Sequence, residues 1–274
     1  MKTRPESNLL HAPPTRYLPA MRVLKRLVSP TYYSCLRFAD QFKKIGQLPW
    51  LIGALLVLRR PVAFKFVEIG VFKGDNAVRI IRLAQRFKTN ISYIGFDLFE
   101  NKDEFFKLHP EDRAVYDTTE HPYWEFQSGQ HALMKVQSKI SSVLSQDNFA
   151  LITGDSTITL PAHRKHLTDA SMIFIDGCHD YDIVSQDWQN VCSLMDANPD
   201  MVVVFDDMLY PGVGRLRMEI ARLTDQYRVF LLNYNQFFVT SKNLRWKEWQ
   251  LFALAEGVAL MGDAIRKYRA RFGN

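Results

Sequence analysis

Five short apolar runs, each followed by glycine or an acidic residue, constrain the fold of this 274-residue chain more than any other feature. The runs cover residues 64–69, 92–96, 149–153, 172–175 and 201–205, and segments of helical length separate most of them. Strands that are covered on both faces need such runs, and their alternation with helices predicts right-handed crossovers in a parallel sheet. We therefore expect a doubly wound α/β domain.

Two further strand-like runs extend this sheet near the C-terminus. Residues 227–232 and 236–240 lie close enough in sequence to pair as an antiparallel hairpin, which gives a mostly parallel sheet of seven strands. Beyond them, apolar residues at alternating steps of three and four predict a long helix over residues 245–271.

The chain divides into two parts on the same evidence. Residues 1–60 are rich in proline at the start and then show helical spacing, so we predict an arm and a helical extension. Residues 61–274 are predicted to form the main α/β domain. An insertion at about 100–146 is longer than one helix requires and predicts a lid that ends in a helix around 132–144.

Composition limits the classes of protein that remain. Hydrophobic residues make up 47% and charged residues 23%, which is typical of a folded globular protein. The net charge of +6 suits weak attraction to anionic partners, but solvated helix faces produce it equally well. Cys35, Cys178 and Cys192 lack the spacing of disulfide or zinc frameworks, and the apolar run 48–58 is too short to span a membrane. We expect a cytoplasmic protein, with peripheral membrane contact by residues 21–28 left open.

The ends of the first three strands predict contacts to a cofactor, because ligands of parallel sheets bind at the carboxyl edge. Gly70 and Gly74 follow the first strand and allow a sharp turn, while Glu68 supplies a carboxylate for an ammonium group. Asp97 ends the second strand, where a carboxylate can accept hydrogen bonds from ribose hydroxyls. The alternative is that Asp97 caps the following turn.

The third strand is followed by Asp155 and Ser156, a polar pair able to reach an adenine amine. The alternative is an ordinary loop.

Three carboxylates follow the fourth and fifth strands. Asp176, Asp206 and Asp207 should converge, and their repulsion is relieved if a divalent cation with oxygen ligands lies among them. The alternative is that some of these acids cap helices. His179 lies close to Asp176 in sequence and suits a general base, because imidazole titrates near neutral pH. A structural histidine is the competing interpretation.

The ordered motifs VEIGVFKGD, YIGFDLFE, LITGDS, FIDGCHDY and VVVFDD resemble those of class I S-adenosylmethionine-dependent methyltransferases. Within that class, the chain is similar to metal-dependent sugar O-methyltransferases of the macrocin type. The resemblance covers about residues 60–240. It implies S-adenosylmethionine as cofactor, and methyl transfer to a hydroxyl of a sugar or glycosylated small molecule.

The resemblance also implies roles for individual residues. Glu68 and Gly70 would lie near the methionine part of the cofactor, Asp97 at the ribose, and Asp155 with Ser156 at the adenine. A magnesium ion would bind to Asp176, Asp206 and Asp207. Relatives often carry Asp where this chain has Cys178, and that departure favours His179 over a carboxylate as the base.

Other functions remain open at this point. The acceptor could be a catechol or a polyketide hydroxyl, and a relative with this fold could use iron to hydroxylate its substrate. A nucleic-acid-binding module without catalytic activity is a third alternative. We favour the enzyme, and we expect a homo-oligomer that acts on a small hydroxylated molecule rather than on nucleic acid.

Overall fold

The computed structural model describes residues 47–99 and 129–244. In these residues a sheet of seven strands has the order β3-β2-β1-β4-β5-β7-β6, and β7 runs antiparallel to its two neighbours. The remaining pairs are parallel. The strands are β1 (Ala63–Ile69), β2 (Asn90–Asp97), β3 (Phe149–Thr153), β4 (Met172–Ile175), β5 (Val202–Phe205), β6 (Tyr227–Leu231) and β7 (Phe237–Ser241). The predicted doubly wound, mostly parallel seven-stranded sheet is confirmed.

Helices cover both faces of this sheet. They are α1 (Gln47–Arg59), α2 (Asp75–Arg86), α3 (Gly129–Ser141), α4 (Ser156–Ala162), α5 (Tyr181–Ala197) and α6 (Pro211–Ile220), with short 3₁₀ turns at Gln146–Asn148 and Arg164–His166. Side chains of α1, α2 and α3 share one apolar core with the sheet. Those of α4, α5 and α6 share a second core on the opposite face.

The burial of the strands explains why apolar runs in the sequence predict their positions. Every residue of β4 and β5 is buried, so these strands present apolar side chains to both cores. In β1 the side chains of Phe64 and Phe66 enter the core beneath α1 and α2, and those of Val67 and Ile69 enter the other. Burial on both faces requires near-continuous apolar sequence.

Where boundaries differ from the prediction, backbone pairing is the reason. β2 begins at Asn90, two residues earlier than expected, because Asn90 and Ile91 pair with Ala63 and Phe64 of β1. Asn90 is polar and carries no hydrophobic signal, which left Ile91 isolated from the apolar run that begins after Ser92.

Two predicted helices are found near their expected places. The apolar run 48–58 lies in α1, whose Leu51, Ile52 and Leu55 are fully buried. The helix expected around 132–144 is α3. No helix in the described part of the chain is long and apolar enough to cross a bilayer. Predictions for residues 1–46, for 100–128 of the lid and for 245–271 lie outside the described residues.

Candidate active site

Glu68 is a buried carboxyl group at the carboxyl end of β1. It is 0% exposed, and burial raises its pKa to about 8. The Tyr93 hydroxyl donates to Glu68 Oε2 at 2.7 Å, but Oε1 lacks a hydrogen bond of normal geometry. The side chain of Asn76 lies near enough to lower the pKa slightly. A buried carboxyl oxygen without a donor is costly, so a ligand that supplies a donor would bind favourably here.

Gly95 makes the hydrogen bond between Tyr93 and Glu68 possible. Gly95 pairs with Glu68 across β1 and β2. A Cβ atom at position 95 would lie 2.6 Å from the Tyr93 hydroxyl oxygen. Any larger residue would therefore displace the tyrosine from the carboxyl group.

The loop after β1 has the sharp turn that its glycines predict. Gly70 has φ +87° and Gly74 has φ +70°, both in the left-handed region that favours glycine. A Cβ atom on Gly70 would lie 2.1 Å from the carbonyl oxygen of Asp176, so the loop packs directly against the end of β4. Gly74 occupies the N-cap position of α2.

Asp97 holds this loop in place. Its Oδ2 accepts hydrogen bonds from the backbone N–H of Val71 at 2.7 Å and of Phe72 at 2.9 Å, and its Oδ1 accepts one from Phe99 N–H at 2.7 Å. Burial nevertheless raises the pKa of Asp97. A carboxylate has about four lone-pair sites, so Oδ1 keeps capacity for one further donor. Asp97 therefore caps the turn, as the alternative interpretation held, and still has room for a ligand hydroxyl.

Asp155 and Ser156 lie at the start of α4 and form a separate group. Asp155 is the N-cap, and its Oδ1 accepts hydrogen bonds from the backbone N–H and the hydroxyl of Thr157. The Ser156 hydroxyl donates toward Asp187 of α5, a buried carboxyl group whose pKa burial raises to about 7. These contacts anchor α4 beside the end of β3.

Asp176, Asp206 and Asp207 lie near one another at the carboxyl edge of the sheet. Burial raises the pKa of Asp176 well above its usual value, and the nearby carboxylates of Asp206, Glu68 and Asp207 raise it further. These groups lie at the carboxyl ends of β1, β4 and β5, which are adjacent in the sheet. Acidic side chains are therefore concentrated at the centre of the carboxyl edge.

Amide side chains from the turn between β6 and β7 hold the acid pair. Asn235 Nδ2 donates to Asp207 Oδ1 at 2.7 Å and lies 3.2 Å from Asp206 Oδ1, so it bridges the two carboxylates. Gln236 Nε2 donates to Asp206 Oδ2 at 2.7 Å. Backbone pairing fixes the same junction, because Met208 N–H donates to the Asn235 carbonyl at 2.7 Å.

His179 completes the arrangement. Its Nε2 lies 2.8 Å from Asp207 Oδ2, and this hydrogen bond lowers the pKa of Asp207. An ionised carboxylate can only accept, so Nε2 carries a hydrogen, and in the neutral ring the lone pair then lies on Nδ1. The ring stacks on Tyr210 with centroids 4.0 Å apart and planes at 11°. Both contacts orient the imidazole, and neither of them uses Nδ1.

A family model described as a methyltransferase domain matches residues 67–208 of this chain. The chain belongs to this methyltransferase family. The matched segment runs from β1 to just beyond β5 and so contains the loop after β1, Asp97, the acid group and His179. The identification as a class I methyltransferase, and therefore as an enzyme, is confirmed.

Solved structures of similar architecture include three methyltransferases. The O-methyltransferase NovP is 14% identical, with a TM-score of 0.51 over 74% of this chain and 80% of NovP. The calicheamicin methyltransferase CalS11 is 16% identical, with a TM-score of 0.47 over 90% and 99% of the two chains. TomG from Streptomyces achromogenes is 16% identical, with a TM-score of 0.45 over 71% and 78%. The similarity to NovP shows a shared fold. No curated protein sequence matches the chain.

A cleft lies beside Asp206 in this methyltransferase. It has a volume of about 300 Å³, and its polar lining includes Asn76, Arg79, Asp206, Asn233, Asn235 and Gln236. The cleft lies between the start of α2 and the turn between β6 and β7. Asp206 is the member of the acid group that lines it.

Sequence reasoning missed several residues of the site. Asn235 and Gln236 follow Asn233 in a turn, where polar residues carry no sign of contact with distant carboxylates. Tyr93 lies within an apolar strand, and its hydroxyl role depends on Gly95 two residues later. A glycine two residues after a tyrosine in a strand is a weak sequence signal that the tyrosine ring lies over the backbone at the glycine. Nothing in the sequence indicated that Asp187 is buried.

Proposed function

We propose that this methyltransferase transfers a methyl group from S-adenosylmethionine to a hydroxyl group of a small molecule. The observation that carries the proposal is the position of two complementary groups on adjacent strands. Glu68 offers a buried carboxyl oxygen without a donor at the end of β1. The imidazole of His179, oriented by Asp207, follows the neighbouring β4. The first group suits a cationic cofactor, and the second suits removal of a proton from an acceptor.

The residues at the first three strand ends fit the cofactor. Glu68 Oε1 would accept from the ammonium group, and the remaining lone pair of Asp97 would accept from a ribose hydroxyl. The positive-φ turn from Gly70 to Gly74 brings backbone rather than side chains to the ligand. Asp155 and Ser156 would line the adenine. When bound, S-adenosylmethionine supplies a methyl group that is already activated by the sulfonium.

The residues after β4 and β5 would act on the acceptor. Nδ1 of His179 takes the hydroxyl proton, and Asp207 stabilises the imidazolium that results. Asn235 and Tyr210 keep this pair aligned. Because the methyl donor is already reactive, orientation of the acceptor oxygen contributes much of the rate.

The proposal also includes a magnesium ion bound by the acid group. Asp176, Asp206 and Asp207 provide the oxygen ligands that Mg²⁺ prefers, and an ion would relieve the repulsion among them. In this structure the acid pair accepts hydrogen bonds from the amides of Asn235 and Gln236 instead. The described residues contain no group of three or more His, Cys, Asp or Glu side chains arranged to hold an ion. Binding would therefore exchange amide donors for the metal. Bound there, the ion would act as a Lewis acid on the hydroxyl.

A sugar ring is the acceptor that the cleft favours. The lining of the cleft is dominated by amide and charged side chains that can match several hydroxyl groups. Asn235 Oδ1 accepts no hydrogen bond among the described residues and is available to a hydroxyl donor.

The cofactor part of the proposal predicts proton release on binding. Glu68 is mostly protonated at pH 7 because its pKa is about 8, whereas an ion pair with the cofactor ammonium needs the carboxylate. We expect binding of S-adenosylhomocysteine at pH 7 to release close to one proton and to strengthen as pH rises from 6 toward 8. Once the pH passes the pKa of the cofactor's ammonium group, that group loses its own proton and the gain ends. Calorimetry in buffers of different ionisation enthalpy measures the released proton.

The Glu68→Gln variant is the control for this experiment. It should bind S-adenosylhomocysteine about 10- to 100-fold more weakly, the range expected for loss of a hydrogen bond to a charged group, and should release no proton. If the wild type binds without proton release, Glu68 is not the ammonium partner. If it does not bind at all, the proposed function is wrong.

The metal part can be tested without turnover. We expect Mn²⁺, observed by electron paramagnetic resonance, to bind to the wild type and not to Asp206→Asn. Asp182→Asn alters an exposed acid in the first turn of α5 and should leave binding intact. A wild type that binds no Mn²⁺ and keeps full activity after chelation would remove the ion from the proposal but leave the role of His179 unchanged.

A further inference from the structure

We propose that the cleft selects an acceptor that carries an anionic group, a carboxylate or a phosphate, bound by Arg79. The proposal rests on the function proposed above, because it concerns the acceptor of the same reaction. The reacting hydroxyl would lie at the Asp206 end of the cleft and the anionic group at the α2 end.

The position of Arg79 on α2 directs it into the cleft. Arg79 lies three residues after Asn76, so the two side chains are neighbours on one helix face, and both line the cleft. The opposite face of α2 carries the buried residues Ala77, Ile80, Ile81 and Ala84. The guanidinium is therefore excluded from the core and borders the cleft.

The charge of Arg79 is not used by a protein carboxylate in the described part of the chain. The acid best placed for it on the same helix is Asp75, one turn earlier, but Asp75 forms its ion pair with Lys139 of α3. Asp206, which also lines the cleft, is held by the amides of Asn235 and Gln236. Arg79 thus remains available to a ligand.

The chemistry of guanidinium then defines the ligand class. Its planar fork of N–H donors matches the two oxygens of a carboxylate or phosphate, and such bidentate pairs are stronger than neutral hydrogen bonds. The acid group at the far end repels a second anion there. This polarity fixes the direction in which an anionic sugar derivative would enter. A cleft of about 300 Å³ accommodates one ring with a charged substituent.

The test compares Arg79→Gln with Arg82→Gln. Glutamine keeps hydrogen-bonding capacity and loses the charge, and Arg82 is an exposed residue of the same helix that does not line the cleft. Binding of glucose 6-phosphate, glucuronate and glucose would be measured by calorimetry on protein saturated with S-adenosylhomocysteine. We expect the wild type to bind at least one charged sugar about tenfold more tightly than glucose, the scale of one charged hydrogen bond. Arg79→Gln should lose this preference and Arg82→Gln should keep it.

The outcomes separate the possibilities. Preference for the phosphate or for the carboxylate identifies the anionic group. Equal binding of glucose, no binding of either charged sugar, or equal losses in the two variants would overturn the proposal. Binding of S-adenosylhomocysteine, measured first, shows independently whether the proposed function holds. If it fails, the same sugar titrations on the free protein still test Arg79.

Discussion

Replacement of His179 by Asn should lower the kcat of methyl transfer by about 10²- to 10⁴-fold, the usual contribution of a positioned general base. Asparagine retains a polar group of similar reach but cannot take a proton at neutral pH. Asp207 would also lose the donor that now lies 2.8 Å away. Because His179 is proposed to act on the acceptor rather than on the cofactor, affinity for S-adenosylhomocysteine should not change. Single-turnover rates with labelled S-adenosylmethionine measure the effect.

A second histidine provides the matched control. His166 is exposed and lies in the 3₁₀ turn before β4, away from the carboxyl edge, so His166→Asn should leave kcat unchanged. Asp207→Asn should also reduce kcat, because it disturbs the tautomer of His179 without removing the base. A His179→Asn enzyme within about threefold of wild type would show that another group takes the proton.

Gly70→Ala should destabilise the fold and abolish cofactor binding together. The new Cβ would lie 2.1 Å from the Asp176 carbonyl oxygen, and the residue would have to keep φ near +87° or move the loop. The left-handed conformation costs about 1–2 kcal/mol and the overlap about 1–3 kcal/mol, so we expect a loss of about 2–5 kcal/mol in the free energy of unfolding. Urea denaturation and titration with S-adenosylhomocysteine measure the two effects.

Gly53→Ala gives the opposite result if this reasoning is correct. Gly53 lies inside α1, and its added Cβ would meet Phe87 at 3.9 Å, an ordinary contact. Alanine should therefore stabilise the protein by about 0.5–1 kcal/mol. A Gly70→Ala protein as stable as wild type would mean that the loop can leave the end of β4 at low cost.

Much of the fold was predictable because the central strands are buried on both sides. β3 and β4 have the predicted limits, since their apolar runs end where the chain turns into polar loops. β1, β2 and the strands beyond β4 differ by one or two residues at their ends. At those ends the strand boundary is set by backbone hydrogen bonds to a neighbouring strand. Side-chain polarity does not predict these hydrogen bonds.

The site was only partly predictable, for a related reason. Strand order alone places the ends of neighbouring strands together, so the sequence could identify Glu68, Asp176 and Asp206 as site residues. The side chains that hold these acids could not be predicted from the sequence. Asn235 comes from a turn some 30 residues after the acid pair, and its contact depends on β7 lying antiparallel beside β5. Such contacts depend on tertiary structure, so no local pattern encodes them.

The order of strands at this side of the sheet has a consequence for synthesis on the ribosome. β7 lies between β5 and β6 although it is made after both of them. Until residues 237–241 emerge, β5 has no partner on its outer side. β6 also has no strand to pair with, because its partner in the sheet is β7. A nascent chain halted before residue 237 would expose the Val202–Phe205 edge to other chains, the situation in which strands aggregate. Pairing of residues 237–241 with β5 closes that edge and delivers Asn235 to the acid pair at the same time.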